Sequence, residues 1–144
     1  MAKKSLSEDK RQFVAERAGR CCEYCFAQEK FASHRFSVDH IIPPEQGGTS
    51  DTENLALSCQ GCNNFKYTHT EGFDPETKTI APLYHPRLDI WSDHFRWNPN
   101  YTVIIGISSK GRATVAKLRL NREMLINQRV LYRSFGIHPP NHFL

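Results

Sequence analysis

Residues 37–66, SVDHIIPPEQGGTSDTENLALSCQGCNNFK, set an Asp-His pair inside an apolar run, followed by a double glycine and two cysteines with two residues between them. Burying a carboxylate and an imidazole beside two isoleucines is costly unless both find partners. Asp39 offers the hard oxygen ligands that Mg2+ and Mn2+ prefer. His40 titrates near neutrality and suits a general base for water. Adjacent strand positions face opposite ways, so the two side chains share one cleft only if the strand bends there. Each residue alone has an ordinary structural explanation: a satisfied core histidine, a turn-capping aspartate, turn asparagines at Asn54 and Asn63.

The cysteines narrow the choice. Cys22 with Cys25, and Cys59 with Cys62, form two C-x-x-C pairs. Each short turn aims two thiolates at one ion, which predicts a tetrahedral structural Zn2+ site. Cys21 is left over; Cys21 with Cys25 is also an acceptable ligand spacing, although Cys22 is the preferred partner. Disulfides fit poorly with an odd cysteine count and with a reducing compartment. The N-terminus lacks the apolar core of a signal peptide, and no stretch is long enough to span a membrane, so the expected location is the cytoplasm.

The chain has 144 residues and a formal net charge of +4, which is one domain-sized unit. Its charge is uneven. Residues 101–144 carry seven basic residues and one acid, whereas residues 21–100 carry six basic residues and eleven acids. An acidic middle suits cations and basic ends suit a polyanion.

Ser5-Leu6-Ser7-Glu8 reads as a capping box for a first helix that stops at Gly19, with Phe13, Val14 and Ala18 on its buried side. A strand is expected over 34–42, a loop through Gly47-Gly48, a second strand at Leu55-Ala56-Leu57, and a short helix after Cys62. A brief helix is expected within 82–97, where Leu88, Trp91 and Phe95 recur at helical spacing. Residues 101–120 read as a β-hairpin turning at Ser109-Lys110-Gly111, because Lys117 and Arg119 alternate with Ala116, Leu118 and Leu120. A last helix opens at Asn121 and ends near Gly136. The expected class is α+β, divided into 1–72 (helix and site-bearing core) and 73–144 (short helix, hairpin, helix) packed on the same domain.

R-x-x-x-CCEYC, SVDHIIP, the double glycine, ENLALSC and GCNNFK together resemble an HNH endonuclease of the ββα-metal class with a zinc knuckle. The order Asp39-His40, Asn54, Asn63 is also similar to the HNH domain of RNA-guided CRISPR nucleases. LYHPRLDIWSDHF resembles a stretch that follows the core in small stand-alone bacterial HNH proteins. The resemblance implies a ββα-metal core that hydrolyses phosphodiester bonds in DNA, leaving a 5′-phosphate and a 3′-hydroxyl. It implies that His40 activates water, Asp39 ligates a catalytic Mg2+ or Mn2+, and Asn54 holds the loop that orients His40. Asn63 stands where the name-giving pattern has a histidine; His69 is the alternative ligand. The expected partner is double-stranded DNA. Lys66, beside the expected metal, and Arg20, Lys117 and Arg119 are the expected phosphate contacts. The rival reading is a non-catalytic, zinc-dependent nucleic-acid-binding module.

Overall fold

The structure, a computed structural model, describes residues 6–140. Helix α1 (Glu8–Arg17) starts on Ser7, whose side chain accepts from the Lys10 N–H at 3.2 Å. Ser5, the first residue of the expected capping box, lies outside the described residues. The helix ends at Ala18, and Gly19 takes the left-handed conformation with φ 61°, which glycine adopts at little cost. Its buried face is Val14, Ala15 and Ala18, while Phe13 is half exposed. The core-facing stripe is thus carried by small residues, which lets the helix lie close to the chain beneath it. Arg17 fastens it there, donating to the Thr52 carbonyl at 3.0 Å and the Leu55 carbonyl at 2.7 Å.

Strand β1 (Ser37–His40) pairs antiparallel with β2 (Leu55–Ser58), with Asp39 opposite Ala56 and His40 opposite Leu55. All of β2 is buried. Cys59 then caps α2 (Gln60–Lys66), its sulfur accepting from the Cys62 N–H at 3.4 Å. Two strands and a helix in this order form the expected ββα unit. The intervening loop closes tightly: a Cβ at Gly48 would lie 1.6 Å from the Ile42 carbonyl oxygen, so only glycine fits there.

The second half departs from the sequence reading in three places. First, a hairpin that the sequence reading lacks, β3 (Glu71–Asp74) with β4 (Thr79–Pro82), follows α2. Second, the helix expected within 82–97 shrinks to one turn, α3 (Trp91–His94), and Leu88 is exposed. Before it, the His85 Nδ1 accepts from the Arg87 and Leu88 N–H groups at 3.1 and 3.2 Å, and this capping sets a turn where helix was expected. Third, the hairpin expected over 101–120 keeps only its first arm. Strand β5 (Phe95–Trp97) pairs with β6 (Ile104–Gly106), and α4 (Ser109–Leu118) is a helix.

The cause of the third difference is local. The Ser108 Oγ accepts from the Gly111 N–H at 3.0 Å and caps a helix, and Thr114 and Leu118 are buried at helical spacing. Lys117 therefore lies in the last helical turn and Arg119 is its left-handed cap, not two positions on one strand face. Helix α5 (Glu123–Ser134) follows, flanked by buried Leu120 and carrying buried Leu125 and Arg129. One cluster of buried side chains takes in Val14, Leu55, Leu57, Phe95, Ile104, Leu118 and Leu125, so both halves of the chain contribute to it.

Helix α4 touches β6 backbone to backbone. A Cβ at Gly106 would stand 2.5 Å from the Arg112 nitrogen, and one at Gly111 2.0 Å from the His94 carbonyl oxygen. Gly106→Ala is expected to lower stability by about 1–3 kcal/mol, as overpacking does. Urea unfolding checks this; a midpoint equal to wild type would contradict the contact.

Candidate metal centre and active-site cleft

The Cys22–Cys25 turn lies against the start of α2, and the sulfurs of Cys22, Cys25, Cys59 and Cys62 all fall within 4.8 Å of one another. Cys25 and Cys59 are 3.6 Å apart, and no disulfide forms. Zn–S bonds of about 2.3 Å at tetrahedral angles need sulfurs roughly 3.8 Å apart, so the four thiols fit one zinc ion. Burial pushes the Cys22 thiol well above its ordinary pKa, whereas hydrogen bonds with Cys22, Cys25 and Cys62 pull Cys59 far below it. The odd cysteine lies apart: the Cys21 sulfur is 3.4 Å from the Gly19 carbonyl and outside the cluster.

The two residues inside the first C-x-x-C turn reach beyond it. Glu23 accepts from the Leu57 N–H at 2.8 Å and gives its own N–H to the Leu57 carbonyl at 2.9 Å. Arg87 pairs with the same carboxylate, which gives the LYHPRLDIWSDHF stretch a structural task. Tyr24 donates its hydroxyl to Asp39 Oδ2 at 2.8 Å. Burial, helped by the Asp39 charge, raises the Tyr24 phenol well above its usual pKa, so it stays a donor.

Asp39 is only 5% exposed and Lys66 2%. The Lys66 ammonium lies 3.0 Å from Asp39 Oδ2 and donates to the Ile41 carbonyl at 3.1 Å and the His40 carbonyl at 3.4 Å. Burial pushes the Asp39 carboxyl above its ordinary pKa, and Lys66 and Tyr24 act against that shift. Lys66, expected at a phosphate, is instead turned inward. Among the described residues Asp39 Oδ1 has only a 3.4 Å contact to Lys66, so it retains lone-pair capacity for a further cation.

Strand β1 ends at His40 and the chain bends at Ile41 and Ile42. Asp39, His40 and Asn63 consequently line one cleft of about 490 Å3, together with Pro43, Tyr67 and Arg11. His40 is half-buried, with Nε2 3.0 Å from Ser50 Oγ. Asn54 clamps the loop: its Oδ1 accepts from the Ile42 N–H at 2.9 Å, and its Nδ2 donates to the Ile42 and Thr49 carbonyls at 2.9 and 2.7 Å. The Asn63 side chain makes no hydrogen bond among the described residues. His69 is exposed and is not on the cleft wall. Asp39 and Asn63 thus both line this cleft, and His69 does not.

The remaining expected phosphate contacts are dispersed. Arg20 pairs with Glu29 at 3.4 Å, and Arg119 lies across the Phe65 ring at 4.7 Å. Lys117 is half-buried in α4. The cation the sequence reading missed is Arg11. It lines the cleft and also the adjoining polar groove that holds Arg20 and Arg35, and it has no carboxylate partner among the described residues. Its position on α1, 28 residues before Asp39, left no local signal of this proximity.

Residues 22–69 match the family model of the HNH endonucleases. Over that segment the chain is similar to the HNH endonucleases. The four clustered cysteines and Asp39, His40, Asn54 and Asn63 all fall inside the matched segment. Septu protein PtuB of Bacillus thuringiensis is 29% identical over 121 residues, covering 82% of this chain and 44% of that protein. The chain thus spans less than half of that relative's length. No solved structure matches. No helix among the described residues is long and apolar enough to cross a membrane.

Removing one partner of the buried Lys66–Asp39 pair strands the other charge. Lys66→Met is expected to cost about 3–5 kcal/mol by that mechanism. Lys66→Met combined with Asp39→Asn should recover much of the loss. Urea midpoints of the single and double variants check this; strictly additive losses would count against a coupled pair.

Proposed function

We propose that the chain is a metal-dependent endonuclease that hydrolyses phosphodiester bonds in double-stranded DNA, and that zinc on the four cysteines is its scaffold. The observation that carries the reading is the meeting of an imidazole, a carboxylate and a side-chain amide, His40, Asp39 and Asn63, on one open cleft. His40 takes the proton from the attacking water, and Ser50 fixes its ring through the 3.0 Å contact at Nε2. Asn54 holds the backbone two residues beyond His40 and so fixes where the imidazole stands. Tyr24 and Lys66 hold Asp39 in place and favour its ionised form against burial. Asp39 and Asn63 would hold Mg2+ or Mn2+, which when bound supplies charge stabilisation at the phosphate and the leaving oxygen. The Arg11 guanidinium at the cleft wall contacts the backbone phosphates of the strand.

One observation favours a second reading. The Lys66 ammonium already occupies the Asp39 carboxylate, as it would in a zinc-dependent binding module that cuts nothing. Plasmid nicking separates the two. Nicking is expected with Mg2+ or Mn2+, to stop with EDTA, and to fall by about 100-fold or more in His40→Ala, with zinc content and DNA binding retained. Undiminished nicking by His40→Ala would remove the histidine from its role, and DNA binding without any nicking would favour the module.

Arg11→Ala is expected to reduce the slope of log affinity for DNA against log salt by about 1, as loss of one phosphate contact does. Fluorescence anisotropy across a salt series measures it; an unchanged slope would place the strand elsewhere.

A further inference from the structure

Four thiolates on a divalent ion leave two surplus negative charges, and the cluster is largely buried, with Cys59 alone of the four reaching 8% exposure. Cys22, Cys25 and Cys62 are at most 1% exposed. Buried charge of one sign is costly unless opposite charge or hydrogen-bond donors meet it. Two neutral donors lie within the turns themselves, the Cys25 N–H to Cys22 Sγ and the Cys62 N–H to Cys59 Sγ, each at 3.4 Å. Neither brings a positive charge.

The charge comes from outside the HNH segment. Arg122, the residue before α5, places Nη1 3.8 Å from Cys62 Sγ and Nη2 3.7 and 3.8 Å from Cys62 and Cys59 Sγ. These are within reach of N–H···S hydrogen bonds. Its guanidinium is held in that position by the Leu118 carbonyl at 2.7 Å, the Arg119 carbonyl at 3.1 Å and the face of Phe65. Seven residues on, within α5, Arg129 is 3% exposed and donates to the Cys25 carbonyl at 3.3 Å. Arg122 at the start of this helix and Arg129 within it thus bring two positive charges to the cluster, the first at the sulfurs and the second at the Cys25 carbonyl.

An independent feature of the second C-x-x-C turn points the same way. Between Cys59 and Cys62, Gly61 sits in α2, where glycine weakens a helix. A Cβ there would lie 2.8 Å from Arg122 Nη2 and 3.1 Å from its Cζ. The missing side chain is the space through which the guanidinium reaches the sulfurs.

We propose that Arg122, seconded by Arg129, is a charge-compensating positioning residue of the four-cysteine metal centre, so that α5 completes a site whose ligands all lie in the HNH segment. The proposal rests on the reading of the cysteine cluster as a zinc site, and not on nuclease activity. It ties retention of the metal to docking of the C-terminal helix.

Two measurements on the full chain test it. Zinc release to a chromophoric chelator should be about 10- to 100-fold faster in Arg122→Met than in wild type, the usual effect of losing a residue that supports the ligands. Gly61→Ala should shift release in the same direction by displacing the guanidinium. In cobalt-substituted protein, loss of hydrogen bonds to sulfur raises the thiolate lone pairs, so the sulfur-to-cobalt charge-transfer band should move to lower energy in Arg122→Met. That band reports only on folded, metal-loaded molecules, so general destabilisation does not mimic the shift. Arg112→Met supplies the control, the same substitution at an arginine that pairs with Asp74 and Glu76 and touches no sulfur; its band should stay in place. An unmoved band and wild-type release in Arg122→Met would overturn the proposal. A wild-type chain that takes up neither zinc nor cobalt would overturn the zinc reading beneath it.

Discussion

The meeting of Cys25 and Cys59, 34 positions apart in the chain and 3.6 Å apart in space, is the contact on which the cleft depends. Bringing the two cysteine turns together fixes Glu23 and Tyr24, the residues inside the first of them. Glu23 then clamps the backbone of β2 at Leu57, and Tyr24 hydrogen-bonds Asp39 on β1. A metal held by the four thiols would supply local folding free energy, and that free energy reaches both strands of the ββα unit through these two side chains. The scaffold and the cleft are therefore one mechanical unit.

Helix α2 carries both tasks along a single short rod. Its start holds Cys59 and Cys62, its middle presents Asn63 to the cleft, and its end sends Lys66 to Asp39. Cys62 and Lys66 are one helical turn apart and both buried, so the face that docks on the sulfurs also docks on the carboxylate. Its seven residues are too few for a helix to stand alone. Its geometry comes from what grips it at both ends, the sulfur cluster and the Asp39 pair.

The sequence was most legible where spacing alone determines geometry. Two C-x-x-C pairs announce a four-sulfur cluster, and the ββα order follows from the turn residues at Pro43-Pro44 and Gly47-Gly48. It was least legible where one stretch fits two periods. Ala116, Lys117, Leu118, Arg119 and Leu120 alternate as a strand would, yet the Ser108 cap and the close approach of Gly106 to Gly111 and Arg112 make 109–118 a helix. Lys66 shows a second limit. A lysine beside a candidate metal site reads as a phosphate contact, and only tertiary structure reveals a carboxylate and two carbonyls gathered around its ammonium. Arg11 is hidden for the same reason, since its cleft is assembled from distant segments.

On the nuclease reading, the Lys66–Asp39 pair also bears on how metal and substrate bind together. Lys66 opposes a burial that favours the neutral form of Asp39. A divalent ion arriving at Oδ1 would stand close to that ammonium, and two cations sharing one carboxylate repel each other strongly where water is scarce. A phosphodiester anion beside them offsets the repulsion. Binding of the cation and of the polyanion would then be mutually favourable, and linkage makes that gain reciprocal. The same arrangement disfavours tight metal binding before the substrate arrives, because Asn63 adds an amide dipole where a second charged ligand would otherwise stabilise the ion.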